Sequence, residues 1–302
     1  MSIKKCETMK RMGVSGKIMC ILMLLLHKSS QQQVFNDENT LHLPENYDIG
    51  WMKMLDDNMF ISHITIPGTH DSLALHGGPA AECQAWSLQH QLNAGIRYFD
   101  LRVSGDDLKV VHGPFSQRTT FFDAFNTIKN FLSIHQTETV LVRLKHSSTF
   151  PDRVISQLKS DSNSWVENEI PRIQNVRGKV VFVQKNSFSL GVSLNETDKH
   201  GDYKVGNVEK KKDKIIAHLN EAIEACRSGY VVLNYSSGTG FPFLRVDNSP
   251  KHLAKEINLW LYNNLKGAYE EKKEFCFGVI AMDFPGFDLI QMVINFNKQV
   301  GI

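Results

Sequence analysis

Three short segments carry groups suited to proton transfer on a charged substrate. ITIPGTHDS supplies His70 and Asp71, YFDLRVS supplies Arg102, and VVHGP supplies His112, each at the end of a short β-like run. Histidine, with an ordinary pKa of about 6.5, gives and takes a proton near neutral pH. Arginine keeps its charge and grips two phosphate oxygens through a planar fork. Two histidines flanking an arginine are the minimum set for moving a proton onto and off a phosphodiester while its negative charge is held.

The elements that must position these groups are legible as runs of β-branched and aliphatic residues. They fall at 64–66, 98–102, 109–112, 139–144, 179–184, 230–235 and 277–283. Continuous apolar runs of this kind read as strands buried on both faces, hence a parallel sheet covered by helices. Between them lie amphipathic stretches at Thr120 to Ile134, Asp213 to Cys226, His252 to Leu265 and Phe287 to Phe296. Alternation over about 250 residues favours an α/β fold, a (β/α) barrel of TIM type, over an open sheet. With seven runs to count, the barrel is expected to be irregular or incompletely closed. In such a barrel the C-terminal strand ends share one face. His70 and Asp71 follow the first run, Arg102 and His112 end the second and third, Lys145 follows the fourth, and Asp283 ends the last.

Composition narrows the classes. A chain of 302 residues, 42% apolar and 22% charged, buries a sizeable core, and its formal charge of +2 gives no footprint for nucleic acid. Lys4, Lys5, Lys10, Arg11 and Lys17 precede the nine-residue apolar run Ile18 to Leu26. That is the pattern of a secretory signal over residues 1–30, without a clear cleavage site, and the run is too short to span a bilayer. A disordered basic tail is the other reading of this segment. Cys83, Cys226 and Cys276 would remain after its removal, enough for one bridge and one free thiol. Asn195 and Asn234 stand in glycosylation sequons, the second beside a β-like run. The basic run Glu209 to Lys214 reads as a solvated helix start.

From about Trp51 to the C-terminus the chain resembles the catalytic X region of phosphatidylinositol-specific phospholipase C, in its small single-domain bacterial form. PGTHDS, FDLR and HGP carry the likeness, with Lys145 in LVRLKHS, Lys185 in GKVVFVQK, Tyr203 in DYKV, NYSSGTG and Asp283 in VIAMDFPG following in order. The resemblance implies a distorted catalytic barrel over 45–302. It implies cleavage of phosphatidylinositol, with glycosylphosphatidylinositol anchors as a further class, to diacylglycerol and inositol 1,2-cyclic phosphate. His70 would be the general base on the inositol 2-hydroxyl and His112 the general acid on the leaving oxygen. Asp283 would fix the His70 tautomer, and Asp71 would support Arg102 and His112. An aspartate at a strand end equally caps a helix or pairs with an arginine. Calcium-dependent relatives have a carboxylate where this chain has Arg102, so no metal and no cofactor are expected.

The same resemblance implies that Lys145, Lys185 and Tyr203 hold the inositol ring. Lys185 stands in place of an arginine, and Gly201 in place of an aspartate, with Asp202 one position later. Phe241, Phe243 and Leu244, after the glycine pair of SSGTGFPFLRVD, suit docking at a membrane surface, or packing in the core. The Asp71 to Arg102 segment is short for the membrane-inserting helix of bacterial relatives, and Trp86 lies too far along to replace its tryptophan. His76, His90, His146 and His200 lack motif context. The expected partner is phosphatidylinositol in a membrane surface, with no nucleic acid and no obligate protein, at a secreted or lumenal location. Two alternatives are a catalytically weak lipid-binding protein on the same barrel and a related phosphodiesterase for another lipid headgroup.

Overall fold

Strands covered on both faces need no polar alternation, and the apolar runs of the sequence form such strands in the computed structural model of the chain. The described residues are 33–185, 188–196, 203–227, 230–240, 249–271 and 276–298. The segment 1–30, Asp202, Phe241, Phe243, Leu244 and His200 lie outside them. The strands are β1 (Ile66–Thr69), β2 (Tyr98–Ser104), β3 (Lys109–His112), β4 (Phe115–Thr120), β5 (Val140–His146), β6 (Ser164–Trp165), β7 (Val180–Val183), β8 (Asn195–Glu196), β9 (Lys204–Val205), β10 (Val232–Tyr235), β11 (Thr239–Gly240) and β12 (Val279–Met282). The helices are α1 (Leu88–Ala94), α2 (Phe121–Ile134), α3 (Asp152–Ser160), α4 (Ile173–Val176), α5 (Val208–Arg227), α6 (Pro250–Glu270) and α7 (Phe287–Asn295).

Parallel pairing runs β6-β7-β5-β2-β1-β12-β10-β8. A further parallel bridge joins Val183 to Val192, and the Gln184 N–H donates to the Val192 carbonyl at 2.9 Å. The segment leading into β8 therefore lies against β7, and the sheet curls into a distorted barrel. Strands β6 and β8, two residues each, are too short for a periodic signal in the sequence. Chain preceding residue 45 also packs on this unit: Phe35 bridges Pro285, and the Gly286 N–H donates to the Val34 carbonyl at 3.0 Å.

The run at 109–112 corrects the expectation of a parallel barrel strand. β3 pairs antiparallel with β2, Val103 opposite Val110, and then with β4, His112 opposite Phe115. The reason is chain length, since only Gly105 to Leu108 separate β2 from β3. A parallel return needs a dozen or more residues, whereas a hairpin closes in a few.

Helix limits follow local chemistry. Thr120 caps α2 through a reciprocal box with Asp123, worth about 1 kcal/mol. Phe121 and Phe125 of that helix pack on Phe182 of β7, ring centroids 6.3 and 5.9 Å away. Ser249 caps α6, with Pro250 in its first turn, where a missing N–H costs nothing. The basic run at 209–214 opens α5 as expected, except that Lys211 is buried and donates to the Tyr235 carbonyl at 3.0 Å.

Opposite the strand C-termini, a buried ion pair ties the barrel floor. Arg97 and Glu138 are both 0% exposed and meet at 2.9 Å. The guanidinium also donates to the carbonyls of Ile49, Leu92 and Ile96, and Glu138 accepts the Met52 N–H at 2.9 Å. Removing one partner of such a pair strands a charge, at a cost of about 3–5 kcal/mol. Arg97→Met is therefore expected to lower the urea unfolding free energy by about that amount, and Arg97→Met with Glu138→Leu to recover most of it. A loss under about 1 kcal/mol in the single variant would contradict this role.

Candidate active site

Register places the chemistry. Thr69 of β1 pairs with Met282 of β12, so the next residues, His70 and Asp283, emerge side by side. The His70 N–H donates to the Met282 carbonyl at 3.0 Å, and Nδ1 of its ring lies 3.0 Å from Asp283 Oδ1. Gln84 supports the junction, donating to the carbonyls of both His70 and Met282. Consecutive strand residues point to opposite faces, yet His70 and Asp71 both serve this site. Asp71 escapes the alternation by leaving the strand at φ 40°. That left-handed backbone costs of order 1–3 kcal/mol, at the lower end for an aspartate.

On β2 and β5 the alternation is kept. Asp100 lies opposite Arg143, and Arg102 opposite Lys145, and all four border one cavity of about 450 Å³. Burial, then the neighbouring Arg102 cation, pull the Lys145 ammonium below its ordinary pKa.

Asp71, 3% exposed, is the hub. Its Oδ1 meets Arg102 Nε at 2.5 Å, while Oδ2 lies 3.2 Å from His112 Nε2 and 3.3 Å from His70 Nε2. His112, at the end of the hairpin strand β3, donates from Nδ1 to the Ala81 carbonyl at 2.6 Å, which turns Nε2 toward the cavity. Gln117 pins that hairpin to the loop after Asp71. It accepts the Leu75 and His76 N–H groups and donates to the carbonyls of His76 and Phe115.

The His70 ring is held in one orientation with its protonation open. Asp283 accepts from Nδ1 and is itself met by the Gly238 N–H at 3.3 Å. At Nε2, Asp71 Oδ2 and Arg102 Nη2 both stand at 3.3 Å. A protonated ring is attracted to the Asp71 charge, and a deprotonated Nε2 accepts from Arg102. Burial alone would depress the His70 pKa, but the charges of Asp71 and Asp283 outweigh burial and Arg102, raising it to about 9.

The structure brings His70, Asp71, Arg102 and His112 together with Lys145, Lys185 and Tyr203 around the cavity, and joins Asp283 through His70. It adds Asp100, Arg143 and Tyr235, which stand unassigned inside FDLR, LVRLKHS and NYSSGTG, and Glu196, which lies outside every motif. Asp100 and Arg143 had a signal, since each lies two residues before an assigned cation on the same strand face. Glu196 bridges Lys185, at 2.8 and 2.6 Å, to Arg143 at 3.0 Å. His146 is buried and structural, holding the Gly105 carbonyl and the Ser148 N–H. Trp86 is buried, its indole donating to the Thr40 carbonyl. Asn234 is 0% exposed, which leaves its sequon no room for a glycan. Cys226 and Cys276 form a disulfide, and Cys83 is a buried free thiol.

Among the described residues, His70, Asp71 and Cys83 offer three ligand atoms within 4.8 Å of one another. They fit a metal poorly. Arg102 already occupies Asp71, and burial, then Asp283 and Asp71, hold the Cys83 thiol well above its ordinary pKa.

Comparison with known proteins finds relatives of this chain. The family described as phosphatidylinositol-specific phospholipase C, X domain, matches residues 58–186. A 1-phosphatidylinositol phosphodiesterase of Listeria monocytogenes is 28% identical over 278 residues, covering 82% of this chain and 84% of that protein. One from Staphylococcus aureus is 28% identical over 315 residues, covering 84% and 95%. The solved Listeria monocytogenes phosphatidylinositol-specific phospholipase C superposes with a TM-score of 0.71 at 26% identity, over 83% of this chain and 99% of that one. Over residues 58–186 the chain carries the X domain of the phosphatidylinositol-specific phospholipase C family.

NMR titration of the imidazole resonances is expected to find His70 losing its proton near pH 9, and Asp283→Asn to move that midpoint downward by removing one raising charge. A wild-type midpoint at the ordinary value of about 6.5 would contradict the electrostatic account.

Proposed function

We propose that this protein cleaves phosphatidylinositol at a membrane surface by intramolecular phosphoryl transfer, giving diacylglycerol and inositol 1,2-cyclic phosphate. The observation that carries the reading is the Asp71 carboxylate set between Arg102 and the Nε2 atoms of His70 and His112.

The substrate phosphate rests on the Arg102 guanidinium, whose Nε is anchored by Asp71 and whose remaining N–H groups face the cavity. Deprotonated His70 takes the proton of the adjacent ring hydroxyl through Nε2 as its oxygen bonds to phosphorus. His112 gives the Nε2 proton to the glycerol oxygen as the other ester bond breaks. One proton is taken and one given, so the step conserves charge on the histidine pair. Asp283 stabilises the imidazolium formed on His70 and fixes its tautomer. In the resting protein His70 holds its proton to about pH 9, which makes its deprotonation part of the cost of reaction.

Lys145, Lys185 and Tyr203 border the cavity where the ring sits, and Asp202 precedes Tyr203 directly. The docking edge is assigned to Phe241, Phe243 and Leu244, which follow Thr239 at the cavity mouth in sequence. The Cys226–Cys276 disulfide supports an oxidising, secreted or lumenal location, as does the charged and apolar N-terminal segment. No helix among the described residues is long and apolar enough to cross a membrane.

One product assay on phosphatidylinositol vesicles tests the reading. The wild type is expected to release the cyclic phosphate with undiminished rate in excess chelator, because Arg102 supplies the cationic charge. His70→Ala and His112→Ala each lose at least about a hundredfold, as removal of one side of acid–base catalysis requires. Serine at Phe241 and Phe243 lowers vesicle cleavage and spares hydrolysis of soluble inositol 1,2-cyclic phosphate. No product from wild type, full activity in either histidine variant, or rescue of a chelated enzyme by calcium would overturn the proposal.

A further inference from the structure

The pairing of β1 with β12 stops abruptly at the chemistry. His70 donates its N–H to the Met282 carbonyl, and a parallel ladder that continued would next join the Phe284 N–H to the His70 carbonyl. These two groups are taken by other partners. The Phe284 N–H donates to the Cys83 carbonyl at 3.0 Å, and the His70 carbonyl accepts from Gln84 Nε2 at 2.8 Å. Two residues of one loop therefore stand in the ladder where the strands would otherwise go on pairing. Just past this wedge both chains turn off at positive φ, one at Asp71 and the other at Phe284.

The loop is itself fixed. The N–H groups of Cys83 and Gln84 donate to the Ala74 carbonyl at 2.9 and 3.3 Å, and the Ala74 N–H donates to the Asp71 carbonyl at 2.8 Å. Gln84 is buried, and its second amide hydrogen goes to the Met282 carbonyl at 2.9 Å. A single NH2 group thus joins the backbone before Asp71 to the backbone before Asp283. Three residues earlier, the Ala81 carbonyl takes the His112 Nδ1 proton. One strap, Ala81 to Gln84, reaches both the base and the acid.

Gln91 of α1 acts on the other side of Asp71. Its Nε2 donates to the carbonyls of Ser72 and Trp86, and its Oε1 accepts from the Thr69 hydroxyl, each at 2.8 Å. Thr69 and Ser72 flank the pair His70 and Asp71. A left-handed aspartate persists only where its surroundings over-determine it, and two buried carboxamides do so here. An apolar side chain of the same length has no donors with which to hold two carbonyls.

We propose that Gln84 and Gln91 are positioning residues, which part β1 from β12 after His70, hold Asp71 in its turn and set general base and general acid in one frame. Neither borders the cavity. The consequence for rate rests on the proposed cleavage of phosphatidylinositol.

Gln84→Met keeps the length of the side chain and removes both donors. Its kcat on phosphatidylinositol vesicles is expected to fall at least about tenfold per folded enzyme, with KM within about twofold of wild type, because the reacting groups lose their alignment. The NMR midpoint of the His70 imidazole is expected to move down from about pH 9, as Asp71 and Asp283 lose their set distances to the ring. Gln91→Met is expected to change both readings in the same direction. A purely structural role lowers Tm and leaves kcat and midpoint alone, and that outcome in either folded variant would overturn the inference for that residue. Should Gln84→Met not fold, Gln84→Glu decides. Between two carbonyls its buried carboxyl stays protonated and offers one donor in place of two. Wild-type kcat and midpoint in that variant would likewise overturn the inference. The imidazole titration needs no substrate, so a folded wild type that leaves phosphatidylinositol intact overturns the reaction, whereas an unmoved midpoint overturns the frame.

Discussion

A carboxylate at 3% exposure survives only if its charge is met, and Asp71 is met on three sides. Arg102 compensates it permanently, while His70 and His112 do so only when protonated. Every proton that arrives at or leaves either imidazole therefore changes the electrostatic environment of the other groups through one shared anion. The arginine gains fixed direction from the same contact, because a guanidinium anchored at Nε keeps its remaining donors aimed at the cavity. Burial is what gives these interactions their strength, since the effective dielectric is far below that of water.

The fold supplies what that anion requires. Parallel register between β1 and β12 sets His70 against Asp283 without any adaptation of loops. The next residue on each strand departs at positive φ, Asp71 at 40° and Phe284 at 44°. The strain at Asp71 is what lets two successive side chains serve one site. Held at the opposite strand ends, the Arg97–Glu138 pair keeps charge and conformational constraint at the floor, away from the chemistry. His112 arrives on a hairpin appended to β2 and secured further by Gln117.

Much of this was legible in the chain. The alternation of apolar runs and amphipathic stretches implied the barrel, and strand-end placement of His70, Arg102 and Asp283 implied a shared face. The parity of strands, applied further, would have exposed Asp100 and Arg143 two residues upstream of Arg102 and Lys145. The spacing between β2 and β3 likewise demanded a hairpin. Other features left no trace. Glu196 sits on a two-residue strand whose pairing depends on residues far away in sequence. The contacts of Gln117 arise from tertiary packing of a loop, and the pairing of Cys226 with Cys276 among three cysteines follows only from the folded chain.

The central claim is that Asp71 charges His70 as well as orienting Arg102, and NMR titration of the His70 imidazole in wild type and in Asp71→Asn tests it directly. The wild-type midpoint is expected near pH 9. In Asp71→Asn it should move to lower pH, since the foremost charge raising the His70 pKa is gone. The same midpoint in both proteins would contradict the account.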